Sequence, residues 1–396
     1  IATCCIDMIG FAMILPLLPY YALKLNATPE LIGVMTATFS VAQLIAAPYW
    51  GRFSDRYGRR PALLIGLSAS AVAYVIFGLA SSIWLLFLSR IVQGAGGGTT
   101  GVAQAYVADT IRPAGRAKAL GWLSAATSAG VAIGPAIGSF SHAYFGPAAP
   151  GFVAAGLCLI NVAFAWRWLP ESRVPTPPGG TSTVRRPVWA AAAEVLEHPA
   201  RPVSRLIWIY ATGMFAFSCL TSVLALFLDV RFGVTEETIG YFYSYIGALS
   251  FTMRSVFLGP IVARFGETRT MRYGTAVLVA GLLLYTVAPN VWTLAFIIPL
   301  VPIGTALLFP STTALMSRAS PKEQLGTTMG VAQTFAGISR VAAPLIATGA
   351  FQRIGTSSPF YLSAVAVAIV GLMALRVEPI PMHTAETPVP KPEGSA

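Results

Sequence analysis

The sequence predicts an all-α integral membrane protein whose twelve transmembrane helices form two six-helix bundles related by a pseudo-two-fold axis. Composition, the pattern of apolar segments and an internal repeat predict this fold. Of the 396 residues, 55% are hydrophobic and only 10% are charged, and the mean hydropathy is +0.69. A soluble domain normally carries about 25% charged residues. This chain therefore has too little polar surface to face water, and lipid is its expected solvent.

Twelve apolar segments are long enough to cross a bilayer, which takes about 20 mostly apolar residues. They cover residues 1–23, 31–50, 62–80, 83–107, 119–141, 148–168, 206–228, 237–261, 272–289, 291–316, 325–349 and 357–376.

A polar linker divides these segments into six and six. The predicted parts are an N-terminal bundle (1–168), a cytoplasmic linker (169–205), a C-terminal bundle (206–376) and a cytoplasmic tail (377–396). Within the linker, residues 188–197 are expected to form a short amphipathic helix on the membrane surface.

The basic residues predict the orientation. One side of the alternating loops holds 20 of the 26 Lys and Arg; we call it the basic face, and its first-half loops are residues 51–61 and 108–118. The opposite face holds Lys24, Arg231 and Arg353, and the remaining three arginines lie inside segments. Because cytoplasmic loops are enriched in Lys and Arg, the basic face and both termini are predicted to be cytoplasmic.

Several functional classes are disfavoured. The formal net charge is +11, but the basic residues punctuate apolar stretches, so anionic lipid headgroups are the expected partner and nucleic acid is not. The four cysteines form no CxxC or Cys/His cluster, so no metal site is expected. No phosphate-binding loop or nucleophile elbow occurs, so we expect neither an enzyme nor a cofactor. Residues 1–23 lack the features of a cleavable signal peptide, and we expect the natural chain to begin upstream.

An internal repeat relates the two halves. Residues 51–58 align with 259–266 at an offset of 208, and residues 121–135 align with 330–344 at an offset of 209. Both pairs fall at equivalent places in the two sets of six segments. This pattern predicts a parallel duplication about an axis along the membrane normal, with substrate bound near mid-membrane between the halves.

Four motifs resemble those of one transporter family. Residues 51–61 read GRFSDRYGRRP, which resembles the signature loop of the major facilitator superfamily. Asp7 followed by Pro16 and Pro19, RIVQGAG at 90–96, and GVAIGPAIG at 130–138 resemble motifs of its twelve-helix drug/proton antiporters, which include the tetracycline exporters. The resemblance implies a monomeric bacterial inner-membrane protein that exports a small amphipathic compound in exchange for protons by alternating access.

Asp7 and Arg90 are the predicted proton-coupling residues. Asp7 is the one carboxylate well inside a predicted segment, where an ionised acid costs at least ~2.5 kcal/mol on insertion scales. It should therefore face the cavity and exchange a proton, although an acid capping the end of a helix is the simpler alternative. Arg90 keeps its charge at physiological pH. It is expected to act on a nearby acid, with Asp7 as one candidate, or to bond backbone carbonyls.

The resemblance implies a gate on the cytoplasmic side. An acid at the end of the fourth segment, Asp109, pairs in this family with a loop arginine, by position Arg59. In the outward-open state, Arg59 would approach Asp109, and Asp55 would meet the first turn of the eleventh segment near residues 324–328, where free amides and the helix dipole stabilise a carboxylate. The predicted gate comprises Gly51, Asp55, Arg56, Gly58, Arg59 and Asp109.

The fifth segment carries the antiporter motif. Gly130, Gly134 and Gly138 recur every four residues, which predicts a smooth stripe for close approach of another helix, and Pro135 adds a bend. Simple packing is the alternative role.

A mixed polar and aromatic cavity suits an amphipathic compound. The candidate lining residues are Gln43, Gln93, Gln104, Phe215, Phe217, Tyr241, Tyr245, Arg254, Gln333 and Arg340. Two intramembrane arginines in the second half, without matching acids there, favour a substrate with negative charge or strong acceptors.

The sequence departs from the tetracycline exporters at one position, and two alternative functions remain open. The tetracycline exporters carry an aspartate directly before a tyrosine in the third segment, whereas this chain has Ala73 before Tyr74, so tetracycline is not the expected substrate. A uniporter or symporter of a metabolite on the same fold is the first alternative. A lipid-handling or receptor protein on a transporter scaffold is the second.

Overall fold

The computed structural model describes residues 1–172, 188–321 and 324–377. Every regular element in these ranges is helical. The first half contains α1 (Ala2–Ile14), α2 (Leu18–Lys24), α3 (Pro29–Tyr57), α4 (Arg59–Gly78), α5 (Ile83–Gly96), α6 (Thr99–Thr110), α7 (Pro113–Phe145) and α8 (Ala149–Trp168). After α9 (Val188–Glu197), the second half contains α10 (Pro202–Phe232), α11 (Ile239–Thr252), α12 (Leu258–Val287), α13 (Val291–Ile297), α14 (Leu300–Ala319), α15 (Leu325–Arg353) and α16 (Ser358–Leu375).

The helix predicted at 188–197 is present at those residues as α9. Residues 173–187 of the linker, and nearly all of the predicted tail, lie outside the described residues.

Ten helical stretches of the described chain are long and apolar enough to span a bilayer, against twelve predicted segments. One difference lies at 83–110, where two residues outside any helix separate α5 from α6. The other is Ile239–Val287, a single stretch of 49 residues. An α-helix of this length would extend about 74 Å, but Gly266 interrupts it with φ 76° and ψ 160°. The twelve-helix count stays a prediction, because length and hydropathy alone give ten.

The helices of each half pack mainly on one another, and two extensive helix contacts join the halves: α7 packs on α11, and α3 packs on α15. Smaller contacts join α10 to α2 and α3. Small residues allow both contacts. A Cβ atom on Gly240 or Gly247 would approach α7 within 2.5 Å or less, and one on Gly33 would lie 2.0 Å from the Thr348 hydroxyl. Such close helix packing is typical of membrane bundles.

The backbone carries the sequence repeat. Gly58 (φ 105°) and Gly266 (φ 76°), which are 208 residues apart, both turn the chain directly before a helix. Gly146 (φ 86°) and Gly355 (φ 142°), which are 209 residues apart, follow α7 and α15. These backbone angles favour glycine because it lacks a Cβ atom. The equivalent turns support the parallel duplication.

The repeat also relates two ion pairs, one in each half, in which the acid and the arginine have exchanged positions. In the first half, Arg59 Nε lies 2.9 Å from Asp109 Oδ2. At the equivalent positions of the second half, Glu267 Oε1 lies 2.6 Å from Arg318 Nη2. Glu267 begins the helical run after Gly266, and Arg318 lies in the last turn of α14. The second-half pair therefore agrees with both helix dipoles, whereas the first-half pair opposes them.

This difference predicts an asymmetric response to charge reversal. Arg318→Glu places a second carboxylate beside Glu267, whose side chain is 9% exposed, and we expect a loss of stability of about 1.5–3 kcal/mol, the range for hydrogen bonds to charged groups. Adding Glu267→Arg should restore only part of the loss, because the exchanged pair opposes both dipoles. Thermal unfolding in detergent measures the stability of the single and the double variant. Complete recovery in the double variant would show that the dipoles contribute nothing.

Candidate functional site

A cavity of about 1180 Å³ lies between the halves. Its walls come from α1, α3, α4, α5 and α6 of the first half and from α15 of the second. The lining extends from Asp7 and Tyr74 to Asp55 and Arg59 at the basic face. The cavity thus reaches that face, while direct contacts join the halves at the opposite face.

Five of the ten predicted lining residues line this cavity, and five do not. Gln43, Gln93, Gln104, Gln333 and Arg340 contribute to its wall. Phe215, Phe217, Tyr241, Tyr245 and Arg254 do not. Phe217 packs instead against Phe309, with ring centroids 6.2 Å apart, and the Tyr245 hydroxyl donates to the carbonyl of Ala295. Sequence position alone could not give the rotation of these helices about their axes.

Asp7 lies in the cavity wall on α1 and is 6% exposed. Its Oδ2 atom accepts a hydrogen bond of 2.9 Å from the Thr99 hydroxyl. Thr99 is the first residue of α6, so the positive end of that helix dipole lies beside the carboxylate. Sequence reasoning missed Thr99, although the glycine run at 96–98 signals the helix break that positions it.

Glycines allow this break to form. A Cβ atom on Gly94 would lie 2.4 Å from the carbonyl oxygen of Phe39, and one on Gly98 would lie 2.4 Å from the Trp50 ring. Both neighbours belong to α3, so the interrupted pair α5–α6 packs closely against α3. This packing fixes Thr99 opposite Asp7.

Arg90 does not pair with Asp7. Arg90 is 2% exposed; its guanidinium carbon lies 5.9 Å from the centre of the Phe77 ring, and Nη2 lies 3.4 Å from the Ser89 hydroxyl. In the described residues, its Nε atom has no hydrogen-bond partner. The suggested contact was wrong because Thr99, nine residues further along the interrupted pair α5–α6, occupies the position next to Asp7.

Gln93 links the arginine's helix to the cavity. Its Nε2 atom donates a 2.8 Å hydrogen bond to the Tyr74 hydroxyl. Within the described part of the chain, Gln93 Oε1 is buried without a partner. A buried unpaired oxygen beside a cavity is a polar position that water or a ligand can satisfy.

The predicted stripe on α7 packs against α1, the helix that carries Asp7. A Cβ atom on Gly130, Gly134 or Gly138 would lie 2.5–2.6 Å from the carbonyl oxygens of Cys5, Ile9 and Met13, respectively. On the other side of α7, the amide of Ala136 donates to the Ser244 hydroxyl of α11 at 3.0 Å. The antiporter motif, with Pro135 inside it, therefore lies between the Asp7 helix and the second half.

The predicted gate residues cluster at the rim of the cavity. Arg59 is 7% exposed and contacts Asp109 at 2.9 Å, Asp55 at 2.8 Å and the Ser54 hydroxyl at 2.7 Å. The Arg59–Asp109 contact joins α4 to α6 within the first half. It was predicted for the outward-open state, but here it coexists with a cavity that is open at the basic face, because it does not depend on how far apart the halves are.

A carboxylate that the sequence analysis missed supports this rim. Glu171 accepts hydrogen bonds from the backbone amides of Arg59 and Arg60 at 2.9 and 3.1 Å. A Cβ atom on Gly58 would lie 2.4 Å from Glu171 Oε2, so a larger residue would displace this carboxylate, and the positive φ of Gly58 itself favours glycine. Of the remaining gate residues, Gly51 lines the cavity and Arg56 lies over the Tyr57 ring.

Polar contacts between the halves close the opposite face. Glu236, in the loop before α11, pairs with Lys24 of α2, and its Oε1 atom lies 3.6 Å from His142 Nε2 of α7. The Ser139 hydroxyl donates to the Glu236 carbonyl at 2.9 Å. On the other side, Glu30 pairs with Arg353. None of these contacts was predicted, because a charge at a helix end does not indicate its partner.

The closure should depend on pH. Burial raises the pKa of Glu236, but the Lys24 hydrogen bond and the Lys24 and His142 charges outweigh this, so the pKa lies below its ordinary 4.5. Asp229 and Glu237 add negative charge nearby. A carboxylate with a lowered pKa stabilises the closed face above pH 4.5, and that contribution is lost as pH falls through the folded-state pKa.

Glu236→Gln should therefore mimic acid at the opposite face. Because Lys24 is 54% exposed, we expect the substitution to destabilise the closed face by less than about 1 kcal/mol. That loss changes the ratio of closed to open states at most about fivefold. Distances between spin labels at residues 81 and 292, on the two halves, measure the opening. Glu237→Gln, which removes a nearby charge but leaves the Lys24–Glu236 pair intact, is the matched control and should change the distances less. An identical response in both variants would contradict this role.

Comparisons with known proteins agree with this architecture. The sequence model of the family described as Major Facilitator Superfamily matches residues 1–271 and 253–396. Tetracycline resistance protein, class B, of Escherichia coli is 27% identical over 344 residues, 86% of this chain and 84% of that protein. Multidrug resistance protein 1 of Bacillus subtilis is 28% identical over 372 residues, 92% of this chain and 91% of that protein.

A solved structure shows the same fold. A bacterial homologue of the human lysosomal transporter Spinster, in an inward-facing and occupied conformation, superposes with a TM-score of 0.75. It is 15% identical in sequence, and the match covers 94% of this chain and 94% of that one.

Proposed function

The chain belongs to the Major Facilitator Superfamily, and from this premise we propose that it exports a small amphipathic organic compound in exchange for protons. The basic face is then cytoplasmic, the membrane is the bacterial inner membrane, and the described conformation is open to the cytoplasm. The similarity to tetracycline and multidrug resistance proteins supports drug-like cargo. Alternating access between the two halves moves that cargo across the membrane.

The observation that carries the proposal is the position of Asp7. It is a buried carboxylate in the wall of the cavity, and its Oδ2 atom is bound by the hydroxyl that begins α6. In a membrane interior, a carboxylate facing a cavity marks a proton or substrate pathway. Asp7 takes up a proton from the outside and releases it to the cytoplasm. Arg90, behind Tyr74 and Gln93, keeps a fixed positive charge near this site.

The cavity can accommodate the proposed cargo. Ligand sites typically have volumes of about 300–1,000 Å³ with aromatic walls and few polar groups. This cavity offers the rings of Phe11, Phe39 and Trp50, together with the side chains of Gln43 and Gln333. Its volume of about 1180 Å³ leaves room for water beside a small compound.

Everted membrane vesicles with an acidic lumen test the proposal. Ethidium and 1-naphthaleneacetate serve as a cationic and an anionic probe. We expect protein-dependent accumulation of at least one of them, together with proton loss from the lumen. Vesicles with Asp7→Asn control for passive trapping of weak acids and bases. Flux that ignores the pH gradient would instead indicate a uniporter, and bound lipid without solute flux would indicate a lipid-handling protein.

The gate adds a prediction for the outward-open state. There Asp55 should approach the first turn of α15 near residues 324–328, where a contact with the helix dipole contributes ~0.3–1 kcal/mol. That contribution is enough to change the relative populations of two states separated by a few kcal/mol. Asp55→Asn should therefore slow turnover several-fold while substrate affinity changes little.

Spin labels at the basic-face ends of α3 and α15 measure this gate. We expect Asp55→Asn to increase the population with long distances between the labels. Arg52→Gln, in the same loop, is the control for a simple change in charge. If Asp55→Asn leaves the distance distribution unchanged, this loop only determines topology.

A further inference from the structure

The two halves contribute different charges to the region around the cavity. Within the membrane segments, the first half contributes one acid and one arginine, Asp7 and Arg90, whereas the second half contributes two arginines, Arg254 and Arg340. At the repeat offsets of 208 and 209, the equivalents of the two arginines are Ala46 and Val131. The duplication therefore does not explain why the arginines are present, and a role particular to the second half is required.

Neither arginine is neutralised by the described chain. Among the described residues, neither guanidinium group has an ion pair within 4.0 Å or a hydrogen bond. Arg340 is half-buried in the cavity wall, and Arg254 is exposed. A cation held in a membrane interior without a counter-ion is costly. An anionic ligand would remove this cost.

The two arginines lie within electrostatic range of the same phenol, Tyr210 of α10. The Tyr210 hydroxyl accepts from Gln333 Nε2 at 3.4 Å, and Gln333 lines the cavity together with Arg340. Three helical elements therefore bring hydrogen-bond donors to one region: α10, α15 and the segment that carries Arg254.

The backbone at Arg254 supports a binding role. Residues Met253–Phe257 form a π-helical turn between α11 and α12. Such turns are rare, and they occur frequently at functional sites because the extra residue per turn displaces a side chain from its regular α-helical position. Here the displaced segment carries an arginine near Tyr210.

We propose that Arg340 in the cavity wall, together with Tyr210 and with Arg254 outside the cavity lining, forms an anion subsite on the second half, and that the cargo is an aromatic organic acid whose carboxylate binds there. Guanidinium groups bind carboxylates through two parallel hydrogen bonds. The aromatic part of the cargo then contacts Phe11 and Phe39 on the first half, whose ring centroids are 5.7 Å apart. This inference rests on the proposed function and adds the charge of the substrate to it.

Matched ligands test the subsite on the purified full chain in detergent. The probes are 1-naphthaleneacetate, its neutral amide 1-naphthaleneacetamide, and 2-(1-naphthyl)ethylamine. We expect the acid to bind at least about tenfold more tightly than the amide, a difference of 1.4 kcal/mol, and the amine to bind most weakly. In Arg254→Gln/Arg340→Gln, the ratio of acid to amide affinity should fall to about one.

Further variants allow the subsite to be tested even if the double variant does not fold. Arg254→Lys/Arg340→Lys keeps both charges but not the planar fork, so we expect an intermediate ratio. If the double glutamine variant does not fold, each single variant should lower the ratio separately. Arg264→Gln, which removes an arginine near the basic face, should keep the preference for the acid.

Three results would overturn the subsite: equal binding of acid and amide by the unsubstituted protein, a preference for the acid that survives in the double glutamine variant, or binding of none of the three probes. The proposed function can fail separately. If the acid binds through the arginines but no probe moves with the proton gradient, the subsite stands and proton-coupled export does not.

Discussion

Asp7→Asn is expected to reduce proton-driven flux to background while leaving the protein folded. The amide has nearly the shape of the carboxylate, but it cannot take up and release a proton. In the structure, Thr99 donates to Asp7, and an asparagine oxygen can accept the same bond. The local packing should therefore persist. Flux into acidic everted vesicles measures the loss, and counterflow without a gradient measures what remains of the substrate pathway.

Thr99→Val provides the matched control. It removes the hydrogen bond to Asp7 but keeps the carboxylate and the approximate side-chain volume. We expect proton-driven flux to persist with a shifted pH dependence, because one bond to the charged form is lost. Undiminished proton-driven flux in Asp7→Asn would mean that the proton travels elsewhere. Equal loss in both variants would mean that the contact, and not proton exchange, is what matters.

Gly134→Ala is expected to have the second largest effect. Its added Cβ atom would lie 2.6 Å from the carbonyl oxygen of Ile9 and 2.9 Å from the Ala12 Cβ atom, both on α1. The backbone of α1 must then move, and overpacking of this kind costs typically about 1–3 kcal/mol. We expect a lower melting temperature and a clear loss of transport, because the same movement displaces Asp7 from Thr99.

Gly121→Ala is the matched control on the same helix. A Cβ atom at Gly121 meets nothing within 4 Å, so the substitution should leave stability and flux nearly unchanged. Gly156→Ala, with equally open space on α8, provides a second control. If Gly134→Ala behaves like these two, the stripe on α7 is a compositional feature without a structural role.

Much of the fold could be predicted from the sequence because lipid imposes long apolar helices. The amphipathic helix at 188–197 and the close packing along Gly130, Gly134 and Gly138 follow from local patterns that survive in the structure. The motif at 51–61 could likewise place Arg59 near Asp109, because the family resemblance supplied the pairing.

Other features depend on contacts between distant parts of the chain. The break between α5 and α6 places Thr99 beside Asp7 and leaves Arg90 near Phe77, and apolar periodicity does not show where a helix is interrupted. The rotation of each helix about its axis likewise decided which predicted cavity residues face inward. Glu171 and Glu236 were missed because a lone charge at a helix end does not indicate its partner.

Proton release on substrate binding tests the central claim most directly. Purified protein is mixed, in weakly buffered solution, with a compound that the vesicle assay shows to be transported, and the pH change is recorded. Exchange at Asp7 predicts that the unsubstituted protein releases protons on binding and that Asp7→Asn binds the compound without releasing any. Binding to the unsubstituted protein without proton release, or equal release by Asp7→Asn, would contradict the account.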